Sequence, residues 1–287
     1  MSIQLSLAEQ LSFTTVRIEC MLHDGSSSVG TGFFFKFVTE SDKTILTIIT
    51  NKHVIEGASK AVFYLTKKGA SGEPKFGEYN FFEMFDFQNW ILHPDANVDL
   101  CALSVSNLFN RLYNQGQDFF WRAFDKNIIP NHQDVTLLSA LEDIVMVGYP
   151  IGLWDSKNNM PIFRKGITAT HPKLDYNNKN EFLIDAACFP GSSGSPVLLY
   201  KRGLPIEAGP GIKISGINGK LLLLGVLYAG PQLAVNGKIH SVPIPTKTIS
   251  IATSRIMINL GYVIKWNRIL ELEQLIIDSV PKADHNQ

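Results

Sequence analysis

The chain has 287 residues, 45% of them hydrophobic and 18% charged, which excludes a disordered or collagen-like polymer. It is long enough for one large domain or two small ones that share a core. Lys plus Arg and Asp plus Glu both number 26, and with zero formal charge and no basic run the chain lacks the electrostatic footprint of a nucleic-acid binder.

Ser6 and Glu9 have capping-box spacing ahead of a short helical turn. Short β-rich runs follow. Residues 14–20 alternate with period two, as a half-buried strand does. A Gly/Ser-rich turn over 23–28 leads to strands at 31–35, 44–50 and 61–65. The segment 98–105 is a further apolar run. Residues 106–133 break this rhythm: Leu108, Phe109, Leu112 and Tyr113 are spaced for one helix face, as are Phe119, Phe120 and Phe124, which predicts a helical connector. Strand-like runs resume at 143–148, 162–170, 182–187, 197–200 and 221–228. From about residue 249, Ile256, Leu260, Ile269, Leu272, Leu275 and Ile276 have helical spacing and predict a helical tail. Many short strands with Gly/Ser turns suggest a barrel or sandwich.

The start has no cationic segment and no long apolar one, so no secretory leader is expected. No apolar run approaches the ~20 residues that span a bilayer, and no membrane partner is expected. Cys20, Cys101 and Cys188 are too few, and odd in number, for a disulfide scaffold; they fit a reducing, cytoplasmic setting. No Cys/His cluster has metal-ligand spacing, and neither metal nor other cofactor is expected.

The segment richest in chemistry is Pro190-Gly191-Ser192-Ser193-Gly194-Ser195-Pro196, between two strand-like runs. A nucleophilic serine needs an exposed hydroxyl on a tight turn, with backbone N–H groups aimed at the developing oxyanion. Here the nucleophile would be Ser193, and the oxyanion hole the N–H groups of Gly191 and Ser193. An ordinary Gly/Ser loop gives the same pattern. A serine also needs a base. Of the seven histidines, His53 stands at the end of the apolar strand 44–50, where a rigid scaffold would present one. Asp99, at the head of the apolar run 98–105, is the best carboxylate to orient it, with Asp86 and Asp95 inferior. Taken alone, the serine turn reads equally well as an ordinary loop, and His53 and Asp99 each read more readily as structural. The Phe-rich run 81–90 reads as core packing, or else as an aromatic patch for a partner.

The order His53, Asp99, Ser193 and the words around it resemble chymotrypsin-like serine proteases, in particular the bacterial HtrA-like protease core without a PDZ domain. Thr50-Asn51-Lys52-His53-Val54 resembles the His box of that branch, and Val98-Asp99-Leu100-Cys101-Ala102-Leu103 its Asp box. Asp185-Ala186-Ala187 leading to residues 190–196 resembles the Ser box. Gly30-Thr31-Gly32-Phe33 resembles the strand before the His box, and Gly148-Tyr149-Pro150-Ile151-Gly152 a Gly/Pro turn of the second barrel. The likeness spans roughly residues 14 to 250.

The resemblance implies an all-β fold of two antiparallel six-stranded β-barrels, with a helical connector and a C-terminal helix. Residues 1–125 would form the barrel with His53 and Asp99, 126–250 the barrel with Ser193, and 251–287 the tail. It implies a serine endopeptidase acting through an acyl-enzyme on a protein or peptide. By the same resemblance Ala187 would lie at the base of the S1 pocket, Cys188 would help line it, and Tyr228, Ala229 and Gly230 would form its wall. With no acid at that base, a small or apolar substrate side chain is expected. His240 is a bolder candidate for reading a polar one.

Ser195 stands where most relatives carry Gly, and Ser192 where zymogen-type enzymes carry Asp. No activation sequence is read near the start, and only 37 residues follow Ser250. Two alternatives stay open: a latent effector protease needing an activating partner protein, or a catalytically silent binding module.

Overall fold

A computed structural model describes residues 5–39, 42–201, 220–238 and 251–279, with the backbone alone described over 232–238 and 251–257. The capping box forms: Glu9 N–H donates to Ser6 Oγ at 3.3 Å and Ser6 N–H to Glu9 Oε2 at 2.6 Å, starting α1 (Leu7–Leu11). The N-terminal half is an antiparallel sheet of β1 (Thr15–Leu22), β2 (Ser27–Val38), β3 (Thr44–Thr50), β4 (Ala58–Lys68), β5 (Pro74–Met84), β6 (Trp90–Leu92) and β7 (Cys101–Ser104). Their order is β5-β4-β1-β2-β3-β7-β6. The single turn α2 (Lys52–Ile55) follows β3, and α3 (Ser106–Asn114) follows β7.

After α4 (His132–Leu137) the second half begins with β8 (Asp143–Gly148), β9 (Ile162–Thr168), β10 (Glu181–Asp185), β11 (Pro196–Lys201) and β12 (Lys220–Ala229). β13 (Gln232–Lys238) and β14 (Ile251–Met257) pair only with each other, and β15 (Leu260–Lys265) returns to the sheet. The strands β10-β15-β12-β11-β8-β9 close into a six-stranded antiparallel barrel. α5 (Asn267–Leu270) and α6 (Glu273–Ser279) end the described chain.

The expected double-barrel arrangement is present as one closed six-stranded barrel beside a seven-stranded sheet. β2 explains why the halves adhere. Its run Phe33-Phe34-Phe35-Lys36-Phe37 alternates faces. Phe34 enters the core enclosed by the N-terminal sheet with Ile18, Ile48 and Phe63. Phe33, Phe35 and Phe37 face the other way, into a core continuous with Ile144, Val197 and Leu223 of the closed barrel and Ile276 of α6. All three are fully buried, so this strand is apolar on both sides.

Three local expectations need correction. The helical connector stops at Asn114; Phe119, Phe120 and Phe124 do not share a helix. That stretch is extended because its backbone completes strand edges, with Phe120 N–H donating to Thr66 O at 2.8 Å and Phe124 N–H to Phe34 O at 2.9 Å. The helix expected from about residue 249 begins only at Asn267. Leu260–Lys265 instead forms β15, which bridges β10 and β12 and so closes the barrel. Only Ile269, Leu272 and Ile276 keep the helical spacing, and all three are buried. The aromatic run 81–90 is mixed: Trp90 is core and Phe82 packs edge-on against Phe119, whereas Phe81 and Phe85 on or beside the edge strand β5 are exposed.

Candidate active site

The register of β3 and β7 places the first two candidates. Thr50 is opposite Cys101 at the end of that ladder. His53 lies three residues beyond one strand and Asp99 two before the other, so both emerge at the same end of the sheet. His53 Nδ1 is 2.5 Å from Asp99 Oδ2, and the His53 N–H donates to Asp99 Oδ1 at 3.1 Å. Asn51 Nδ2 donates to the Asp99 carbonyl at 2.7 Å, and Lys52 Nζ to the Asp95 carbonyl at 3.0 Å. The 51–53 and 95–99 segments are thus stitched together at four points. A carboxylate on Nδ1 holds the ring proton there and leaves Nε2 as a proton acceptor.

The Asp99 side chain is 23% exposed and that of His53 43%. Burial, the largest single influence on Asp99, pushes its pKa up. The bond from the His53 ring, that ring's charge and the backbone N–H groups of His53 and Lys52 outweigh it and hold the carboxyl below the usual Asp range.

The third candidate sits on a turn held by main chain. Ser192 N–H donates to Phe189 O at 3.0 Å, Gly194 N–H to Leu227 O at 2.8 Å, and Leu227 N–H returns to Ser195 O at 3.0 Å. Gly191 and Gly194 have φ of +83° and +85°, a region costly for any residue with a Cβ. At Gly194 a Cβ would also collide with the Thr31 carbonyl oxygen.

Thr31, on β2, docks this turn onto the N-terminal half. Its N–H donates to Ser193 O at 2.8 Å, and its hydroxyl donates to Gly191 O at 3.0 Å while accepting from Tyr149 N–H at 3.1 Å. Thr50 Oγ1, three residues before His53, donates to Thr31 O at 2.7 Å. Ser193 is therefore held against the strand pair that carries His53. Its hydroxyl donates to Tyr228 O at 3.3 Å, and among the described residues no hydrogen bond joins it to His53.

Pro190 O accepts from Ile151 N–H at 2.5 Å. Across a trans peptide the Gly191 N–H then points away from the 149–152 turn. Among the described residues neither it nor the Ser193 N–H has an acceptor in the chain.

Beside Ser193 is a cavity of about 240 Å³ lined by Cys188, Phe189, Pro190, Ser193, Leu227, Ala229 and Gly230. Of the expected S1 residues, Cys188, Ala229 and Gly230 line it. Ala187 is half-buried outside that lining, and Tyr228 contributes its carbonyl to Ser193 instead. His240 lies outside the described residues. A larger cavity, about 690 Å³, is lined by His53 and Asp99 with Ile55, Phe87, Trp90 and Leu92.

Other histidine, carboxylate, cysteine and serine side chains around the site have contacts of their own. His93 is buried with Nε2 at 3.1 Å from Glu271 Oε2. Asp86 and Asp95 accept from the N–H groups of Gln88 and Asn97 in their own turns. Cys188 is buried, and desolvation pushes its thiol up to about 11. Ser195 is fully buried, and its hydroxyl occupies the space that a Cβ on Gly148 would need. Ser192 accepts from Arg164 Nη1 at 3.3 Å. Sequence reasoning noticed Thr31 and Thr50 only as parts of local words, with no role of their own, and missed Phe189 and Leu227. The glycines at 30 and 32 were the available signal: a Cβ at either would strike Val54 or Ile48, which marks a close approach at Thr31.

Fold and family together make this chain a serine protease. The model of the trypsin-like peptidase domain matches residues 30–204, and the chain belongs to that family. Among solved structures it is similar to a mutant of Rv3671c from Mycobacterium tuberculosis H37Rv in its inactive form, at 14% identity and TM-score 0.44, covering 96% of this chain and 93% of that one. The HtrA-type protease AlgW with a tripeptide matches at 15% identity and TM-score 0.46, covering 96% and 64%. A serine endoprotease from Yersinia pestis matches at 15% and 0.46, covering 96% and 68%. The sequence finds no match among curated proteins. Among the described residues no helix is long and apolar enough to cross a membrane.

Proposed function

We propose that the protein is an endopeptidase that cleaves peptide bonds through Ser193, His53 and Asp99. His53 Nε2 takes the Ser193 proton as Oγ attacks the substrate carbonyl, and Asp99 holds the ring and stabilises its charged form. The N–H groups of Gly191 and Ser193 receive the oxyanion. The same imidazole then protonates the leaving amine, and water hydrolyses the acyl-enzyme. The observation that carries this reading is the clamp of His53 on Asp99 at the end of β3, with the Ser193 turn tied to the neighbouring strand through Thr31. The cavity beside Ser193 has no charged side chain in its lining, which supports a small or apolar substrate side chain before the scissile bond. The three cysteines are free, which supports work in a reducing compartment.

A fluorophosphonate should label the wild-type protein at Ser193 and leave Ser193→Ala unlabelled. Cleavage of an unfolded substrate should vanish in the variant while its melting transition stays in place. Labelling elsewhere, or cleavage that survives the substitution, refutes the assignment.

A second reading has its own observation. The Ser193 hydroxyl is bonded to Tyr228 O, away from the base. This favours a resting enzyme that a partner or substrate switches on, with low basal turnover that rises on addition of the activator.

A further inference from the structure

The Pro190 carbonyl is held by a turn that is itself strained. Ile151 donates its N–H to Pro190 O at 2.5 Å while standing at φ 52°, ψ 27°, a left-handed conformation unfavourable for a β-branched residue. Its own side chain is 64% exposed and does little to keep it there. The turn is fixed from within by Gly152 N–H to Tyr149 O at 3.0 Å and Leu153 N–H to Pro150 O at 2.7 Å. It is fixed from outside by Arg17, 135 positions away on β1, whose Nε donates to Gly152 O at 3.3 Å.

Arg17 is 8% exposed, yet it is fully employed. Its Nη1 pairs with Glu19 Oε1 at 2.7 Å, and its Cζ lies 5.3 Å from the Trp154 ring centroid and 5.7 Å from that of Tyr64. Tyr64 OH donates to the other Glu19 oxygen at 2.5 Å. Trp154, just beyond the turn, packs on Tyr64 and Tyr79 at 4.9 and 5.6 Å. A charged side chain buried among aromatics, with one donor on a lone carbonyl of the other half, is an unusual arrangement. It makes sense if that carbonyl must not move.

We infer that Arg17 is a positioning residue for the oxyanion hole: by holding Gly152 O it keeps Ile151 N–H on Pro190 O, and so keeps the Gly191 N–H turned out of the 149–152 turn. The inference rests on the endopeptidase reading above, and Arg17 lies outside the residues matched by the family model. Without Arg17 the Gly152 carbonyl loses its donor and Trp154 its cation. The strained Ile151 can then relax, and the Pro190–Gly191 peptide is free to rotate. Rotation would bring a carbonyl oxygen to the place of a hydrogen-bond donor, leaving the hole with Ser193 N–H alone.

Such a residue affects transition-state binding and spares ground-state binding. Loss of one oxyanion donor costs roughly 10²–10³-fold in kcat, which bounds the effect. Arg17→Met, acting at one remove, should lower kcat about tenfold or more within that bound, with KM unchanged. Affinity for a peptidyl trifluoromethyl ketone, whose adduct carries the oxyanion, should fall by the same factor. Affinity for the same peptide with its scissile carbonyl reduced to methylene should not change. Arg17→Lys should recover part of kcat, since an ammonium still reaches a carbonyl, and Trp154→Leu should show the same pattern more weakly if Arg17→Met fails to fold.

A crystal structure of Arg17→Met should show the Pro190 carbonyl off Ile151 N–H. An unchanged peptide, or equal losses for ketone and methylene ligand, overturns the inference while leaving the endopeptidase reading intact. A wild-type protein that neither cleaves peptides nor binds the ketone overturns both.

Discussion

In the N-terminal sheet, His53 and Asp99 are joined side chain to side chain and side chain to backbone, at 2.5 and 3.1 Å. In the closed barrel, Ser193 is held through its main chain, and its hydroxyl is bonded to Tyr228 O. On the endopeptidase reading, one half would present an assembled base and the other a rigid turn whose hydroxyl has still to leave Tyr228 O. Catalytic hydrogen bonds of unliganded enzymes are often long or misaligned and tighten with substrate, so on that reading the asymmetry marks the step left for binding to complete. It also separates two kinds of failure. Damage to the first half should remove basicity at constant fold, whereas damage to the second should move backbone.

The sharpest break of the first half is Asp99→Asn. Asparagine keeps an acceptor for the His53 N–H but not the charge or the tautomer, and a fall in kcat of about 10⁴ is expected with little change in KM. The same variant has a pH signature. Although burial raises the Asp99 pKa, the His53 ring and the backbone donors bring the net value below normal. Ionised Asp99 therefore stabilises the fold at pH above its unfolded value of about 3.9, and this contribution disappears as pH falls through the lower folded value. Denaturant midpoints of wild type and variant should differ at neutral pH and converge in acid. A constant difference across that range would contradict the ion-paired arrangement.

Gly194→Ala attacks the second half. The new methyl would strike the Thr31 carbonyl oxygen in a backbone region unfavourable to Ala, so the turn must leave its dock. Such backbone strain costs of order 1–3 kcal/mol, and here the collision adds to it. Activity and the unfolding midpoint should fall together. Full stability with lost activity would mean that the turn is not anchored as described.

Thr31→Val tests the seam between the halves more gently. Valine has nearly the same shape but abandons the Gly191 carbonyl and the Tyr149 N–H, both bonded to the Thr31 hydroxyl at the buried interface. A buried group left without its partner costs about 1–3 kcal/mol, so a lower midpoint is expected, with a smaller loss of kcat than for Gly194→Ala. Equal loss in both would erase the distinction between moving the turn and loosening it.

The parts of the candidate site that were legible in the sequence are those whose residues stand in a recognisable order of local words rather than alone. His53, Asp99 and Ser193 stood in local words that set their order, and strands such as β3 and β12 advertised themselves because nearly every residue in them is buried. β5 was missed because it is an edge strand facing solvent along most of its length, with no apolar face to read. β15 was mistaken for helix because Ile256 and Leu260 happen to fall four apart, and only its pairing with β10 and β12 decides the matter. The lining of the cavity beside Ser193 was legible only in part: Leu227 and Phe189 belong to it although no local word pointed to them, and Ala187, counted in by its distance from Ser193, lies outside it. Arg17 gave no signal of its contact with the 149–152 turn, since its partner there is a backbone carbonyl in the other half.

The smallest expected effect concerns Cys188, the one cysteine lining the cavity beside Ser193. The nearby guanidinium of Arg164 favours a thiolate, and a low-pKa thiol here would offer a rival nucleophile or an oxidation switch. Burial dominates instead: the thiol is pushed up to about 11, and those of Cys20 to about 12 and Cys101 well above the usual range. At about pH 8 the thiolate fraction is then of order one in a thousand, and access is closed as well. Iodoacetamide should leave the folded protein unmodified at all three cysteines and change turnover less than about twofold, whereas in denaturant all three should react. Rapid alkylation of Cys188 with loss of activity would show that the cavity wall opens readily, and that the closed barrel is the softer of the two halves.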